Sequence, residues 1–187
     1  MPRLQPPDPA EMDARQRAIR EAILAGPRGR IEGPLGLWLH SPGLAEPAQA
    51  LGAFCRFGSS LPPHLAEIAI CTVGRHWDAE FEWWAHKRLA LAAGVDPAVL
   101  EAIRTGAPPP FADETAEIVH AVAEALLRSK RLPQTLHDRA LAALGPRGLV
   151  DLVGIVGYYC LVSVTLNAFE VPLPEGEAPE LGASPTG

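Results

Sequence analysis

The chain is poor in sulfur: its 187 residues include three cysteines, Cys55, Cys71 and Cys160, and two methionines. The cysteines lie far apart, form no C-x-x-C pair and sit among apolar neighbours, where a reduced thiol behaves as a small hydrophobe. This argues against a disulfide framework or a paired-thiol site and fits a reducing, cytoplasmic compartment. Positive charge is also scarce. Sixteen Lys plus Arg stand against 22 Asp plus Glu, a formal net charge of -6, which disfavours nucleic acid or an anionic membrane as partner. The longest apolar run, Leu152 to Leu166, has about 15 residues where a membrane-spanning helix needs about 20, and it reads as a core helix. The opening MPRLQPPDPAEMD lacks the apolar stretch of a secretory signal, so no export is expected. No segment alternates with period two for long enough to argue a sheet.

What is present is apolar: 48% of the residues are hydrophobic, enough for one sizeable core and too few for two. Proline clusters mark both ends, with Pro2, Pro6, Pro7 and Pro9 at the start and Pro172, Pro174, Pro179 and Pro185 at the finish. They predict a flexible arm over 1–8, a single domain over 9–174 and a flexible tail over 175–187. Asp8 and Pro9 start a first helix that Gly26 and Pro27 stop after Ala25. Residues 26–43 are rich in glycine and proline yet carry Ile31, Leu35, Leu37, Trp38 and Leu39, which predicts a loop with one short helical turn packed on the body. Ser41 and Pro42 open a helix to about Phe57, Pro62 and Pro63 open another through Trp77, and Asp78 caps the next, ending at Gly94. Further helices are expected from Asp96 to Thr105, from Asp113 across Ile118, Val122 and Leu126, from Pro133 to Leu144, and from Arg147 to Phe169. The fold class is all-α.

The informative window runs from Glu67 to His86. Glu82 and His86 are four apart, so on a helix they project from one face within reach of each other. Glu67 falls on the preceding helix in an otherwise apolar run, and antiparallel packing would bring it to that face. A carboxylate there needs a partner to offset its desolvation, and His86 is the candidate. A histidine balanced between carboxylates exchanges protons near neutral pH, which suits general acid/base work. The same spacing also occurs in purely structural pairs.

At these residues the sequence resembles the carboxymuconolactone decarboxylases and the related alkylhydroperoxidase D proteins. In that superfamily a Glu precedes a C-x-x-C pair, and a His follows four residues after the second Cys. Glu67, Ala79, Glu82 and His86 stand at those four positions, so both cysteines are absent. The likeness extends to Gly-Arg-His-Trp-Asp-Ala-Glu-Phe-Glu-Trp around the motif and to the later Val-Gly-Tyr-Tyr and Leu-Asn-Ala-Phe-Glu-Val-Pro, and spans residues 30 to 174. It implies a helical bundle of the alkylhydroperoxidase D-like/carboxymuconolactone decarboxylase type, preceded here by an N-terminal helix and an apolar loop. It also implies a cofactor-independent carboxy-lyase without a metal, acting on a small carboxylated lactone or related intermediate of aromatic catabolism, in a homo-oligomer such as a trimer or hexamer. By the resemblance His86 is the acid or electrostatic stabiliser, Glu82 its orienting partner or proton shuttle, and Glu67 the carboxylate that tunes the group, with these roles open to exchange.

Four further residues are candidates for substrate binding. Arg75 could hold a carboxylate bidentately or pair with Glu82 or Asp78. Trp83, beside Glu82, could wall the site from water. His40 and His64 flank the apolar loop and the Glu67 helix. Two rival readings stay open: a non-catalytic helical binding or assembly protein that uses the charged cluster for stability, and a thiol antioxidant working through Cys71.

Overall fold

The computed structural model describes residues 2–182, and every regular element within them is helical. The order is α1 (Ala14–Ala25), α2 (Pro34–Trp38), α3 (Pro42–Ala53), α4 (Pro63–His76), α5 (Glu80–Ala92), α6 (Pro97–Thr105), α7 (Glu114–Ser129) and α8 (Gln134–Ala168). A π-helical turn, Phe54–Gly58, extends α3. Proline opens α2, α3, α4 and α6, where a missing N–H costs nothing because first-turn amides have no intrahelical acceptor. Asp96 and Asp113 cap α6 and α7 by accepting bonds from amides two or three residues ahead.

Helix α4 is the centre of the molecule. Every residue from Leu65 to Gly74 is buried, because α5, α6, α7 and α8 all pack around it. Helix α8 closes the other side. By length and composition it is apolar enough to cross a membrane, yet 61% of its most apolar window is buried inside the protein. Ser60, just after the π-turn, is tied to α8 by Asp151, whose Oδ2 accepts from the Ser60 amide at 2.8 Å and its hydroxyl at 2.6 Å. These bonds hold the Asp151 carboxyl below its ordinary value despite burial. Asp151→Ala strands both donors and is expected to lower stability by roughly 1.5–3 kcal/mol. Urea unfolding measures it, and a loss below half of that range would show the tie to be incidental.

Several expectations need correction. Helix α1 starts at Ala14 and not at Pro9, because Asp13 and Gln16 form a reciprocal capping box, which satisfies two first-turn donors that Asp8 would leave free. Asp78 does not cap α5. It adopts a positive φ of 47° and turns its carboxylate back onto Arg75, leaving Ala79 as the cap residue. The two expected C-terminal helices are both present within the span Gln134–Ala168: Gly145, at φ 68° and ψ 173°, leaves the helical path just before Pro146 and separates them.

Both ends make contacts with the body where they are described. Arg3 donates its amide to the Phe169 carbonyl at 2.9 Å, the Gln5 carbonyl lies 2.8 Å from His40 Nε2, and Pro6 sits on Gly36. In the tail, Glu80 accepts the amides of Glu180 and Leu181, both at 2.9 Å, while Arg88 pairs with Glu177. Residues 2–8 and 175–182 are therefore docked on the body by a few polar anchors. Met1 and residues 183–187, the rest of the expected arm and tail, lie outside the described residues.

Candidate active site

The turn between α4 and α5 reverses the chain, with the Ala79 amide closing on the Gly74 carbonyl at 2.9 Å. The two helices then run side by side, and Glu67, one turn into α4, meets His86, two turns into α5. His86 Nδ1 lies 2.7 Å from Glu67 Oε2 in a hydrogen bond. On its other side Nε2 is 3.1 Å from Glu82 Oε1, within ion-pair distance but outside hydrogen-bond alignment, so that buried oxygen has no hydrogen-bond partner. All three side chains are buried, Glu82 to 3% exposure. Tyr159 of α8 meets the imidazole edge-on, with ring centroids 4.9 Å apart.

Burial pushes the Glu82 carboxyl above its ordinary 4.5; His86 pulls it back, and Glu67 adds to the rise. Burial alone would pull His86 down, but the Glu82 and Glu67 carboxylates outweigh it, and the imidazole ends above 6.5. The cluster thus retains a proton that the free groups would release. That proton has two homes, on His86 between two carboxylates or on Glu82 beside a neutral imidazole, and the net charge is the same in both.

A stability signature follows. Both groups bind protons more tightly folded than unfolded, so stability falls as pH rises through their folded values. The His86 contribution is complete below about 6.5 and lost above it. His120, whose value burial lowers, acts below 6.5 and in the opposite sense. Between pH 6.5 and the ordinary cysteine value of 9.0, the melting temperature of the wild type is expected to fall more steeply than that of Glu82→Gln. Parallel melting profiles would remove the proton from the cluster.

His86 and Glu82 open onto a half-open cavity of about 80 Å³. Its apolar wall comes from Leu35, Phe81 and Val162, and its polar wall from Arg28, Arg56, Tyr158 and Tyr159. The π-turn carries Arg56, and the wider turn changes the direction in which that side chain leaves the helix. Glu67 does not line the cavity but stands behind His86.

No protein-family model matches this chain, and no curated protein matches it. Its chemistry is therefore read from the geometry.

The other expected site residues lie elsewhere. Arg75 leaves α4 towards α6, where Nε donates to the Arg104 carbonyl at 2.6 Å and the fork pairs with Asp78; it borders a separate cleft with His76 and His120. Trp83 is 1% exposed and faces away from the cavity, donating Nε1 to Glu180 at 3.0 Å. His40 is exposed on the N-terminal segment. His64 lines a surface hollow with Ser60 and Leu144, at the start of α4 and away from the cavity wall. Cys71 is fully buried, and burial together with Glu67 and Glu82 pushes its thiol well above 9.0. Cys55 is raised to about 11. Neither supplies a thiolate at neutral pH.

The residues missed by sequence reasoning are Arg28, Arg56 and the tyrosine pair. Arg28 follows Gly26-Pro27 in a segment read only for its apolar content, and Tyr158-Tyr159 sits inside a run that reads as core. The pairing of two aromatic hydroxyls within that run was the one available signal.

Proposed function

We propose that this protein is a cofactor-independent acid/base enzyme of the carboxymuconolactone decarboxylase type, removing carbon dioxide from a small carboxylated lactone or a related compound. The observation that carries the reading is His86, held between two buried carboxylates at the wall of a half-open cavity. In the reaction the bond from carbon to the departing carboxylate breaks and carbon dioxide leaves. The electron pair passes into the conjugated lactone, and the resulting enolate takes the stored proton at a distant carbon. One proton is consumed per turnover, and water restores it to the cluster. His86, or Glu82 through it, delivers that proton; Glu67 keeps the imidazole oriented and basic. The cavity favours this reading over a purely structural cluster, and the protonated, buried thiols disfavour the antioxidant reading.

The test is turnover of carboxymuconolactone, followed by its ultraviolet absorbance, in the wild type beside His86→Ala. Turnover that disappears in the variant supports the proposal. Absence of turnover in the wild type rejects this substrate, and equal turnover in both rejects His86.

We further propose that the chain works as a homo-oligomer joined along α8. Val150, 70% exposed, continues with Val153, Leu161 and Val164 as an apolar stripe at helical spacing, and Gly154 and Gly157 leave open space within it. Such a stripe suits close approach of a second helix. Light scattering after size exclusion is expected to give a trimer or hexamer, and Val150→Glu with Val153→Glu is expected to reduce it to monomer with helicity retained. A monomeric wild type would overturn this.

A further inference from the structure

From Val171 onward the chain has no Lys or Arg, but it has Glu175, Glu177 and Glu180. This tail lies over the outer face of α5 and the end of α6, against Lys87, Arg88 and Arg104. Opposite charge alone would give a loose association that salt weakens. The contacts around Glu180 are more specific. Its amide and that of Leu181 donate to the two carboxylate oxygens of Glu80, both at 2.9 Å. Its carbonyl accepts from Arg104 Nη1 at 2.9 Å, and Glu101 holds that guanidinium by two bonds at 2.7 and 2.8 Å. Its Oε2 accepts from Lys87 and, at 3.0 Å, from the Trp83 indole. The body thus reads one tail residue by its amide, its carbonyl and its side chain together.

Two neighbours complete the pattern. Three residues earlier Glu177 pairs with Arg88 at 3.2 Å, and Leu181 packs against the apolar core. Trp83 is buried, and a buried indole N–H without an acceptor is costly, so the face calls for an acidic side chain at this point. Burial would raise the Glu180 carboxyl, but Lys87 and Trp83 outweigh it and hold it below its ordinary 4.5. Between Val171 and Glu180 the chain forms no helix or strand, so lifting the tail unfolds no regular element.

We infer that this face of α5 and α6 is a docking site for an acidic segment of the pattern Glu-x-x-Glu-Leu, and that the chain's own residues 177–181 occupy it as a reversible strap. The site stands apart from the cavity and does not depend on its chemistry. The two share a helix: Trp83 and Lys87 directly follow Glu82 and His86, so the strap grips the same turns of α5 that present the cluster. A short flexible tether raises the local concentration of the tail to about the millimolar range, so a segment that stays docked needs an intrinsic Kd of about 0.1 mM or below.

The probe is a fluorescently labelled peptide of residues 175–182, and the receptor is the full chain with its strap disabled by Glu177→Ser, Glu180→Ser and Leu181→Ser. Anisotropy is expected to give a Kd of about 0.1 mM or below for this receptor, and binding at least about tenfold weaker to wild type, whose own tail competes. A peptide carrying Glu180→Gln is expected to bind roughly ten- to a hundredfold more weakly, the worth of its charge-assisted hydrogen bonds. No binding to the disabled chain, equal binding to both chains, or equal binding of the two peptides overturns the site. If the disabled chain loses its helical circular dichroism, amide hydrogen exchange on the wild type decides. Glu180 and Leu181 amides slowed at least about tenfold relative to the free peptide support the strap, and exchange at the free-peptide rate overturns it.

Discussion

His86→Asn is expected to lower turnover by roughly 10²–10⁴-fold, the usual worth of a positioned proton donor, with KM changed little. Asparagine can still donate to Glu67 from its amide, so the hydrogen bond seen at 2.7 Å keeps a substitute and the fold is spared. What it lacks is a proton to give: its amide does not titrate, and the cluster loses the group on which the proton rests between the carboxylates. The apolar wall of Leu35, Phe81 and Val162 is untouched by the change, which is why kcat falls and KM stays. A second variant, Glu82→Gln, separates the two homes of the proton. If His86 alone delivers it, Glu82→Gln retains most activity; if it passes through Glu82, both variants fall together. A loss below tenfold in His86→Asn would take the imidazole out of the chemistry.

The largest stability effect is expected from Glu67→Ala, at about 3–5 kcal/mol. Among the described residues Glu67 is the only hydrogen-bond partner of His86 Nδ1, and both side chains are buried. Removing one member leaves the other buried and unpaired, and the small alanine adds a void in α4, the helix on which four others pack. Chemical denaturation measures the loss. The origin of the loss is tested by a double variant, Glu67→Met with His86→Leu, which replaces the pair by apolar groups of similar size. Recovery of most of the stability would assign the cost to the stranded polar group. A double variant as weak as the single would assign it to packing, and a single variant costing under about 1 kcal/mol would show that water reaches the pair.

The sequence made part of this site legible because part of it is local. Glu82 and His86 are neighbours on one helix, and Glu67 stands out as a charge within an apolar run on the preceding helix, so spacing and a short turn bring the three together. Arg28, Arg56 and Tyr158 come from a loop, a π-turn and the middle of α8. Only tertiary packing unites them, and no periodicity encodes it. Arg75 was the natural candidate for carboxylate binding because it lies between the two glutamates in sequence. The turn at Asp78 decides otherwise, since its positive φ places a carboxylate beside Arg75 and commits that arginine to the outside of the pair. Helices were read well where a proline or aspartate opens them, as in α4, α6 and α7. The contacts that the two ends make with the body were not legible, because proline-rich segments show no apolar period. Their docking depends on single contacts such as Glu80 to the Glu180 amide, which carry no pattern to detect.

Position 52 bears on how this protein can change over time. Gly52, Arg28 and Tyr158 occupy one volume from three distant points of the chain, and none can drift alone. Any side chain at 52 must displace the Tyr158 ring and the Arg28 guanidinium from the volume they share. Sequences that have lost the glycine should therefore have a reshaped cavity wall as well, so that one backbone position, remote from the acid/base cluster in sequence, would sort descendants of this protein by the shape of their cavity.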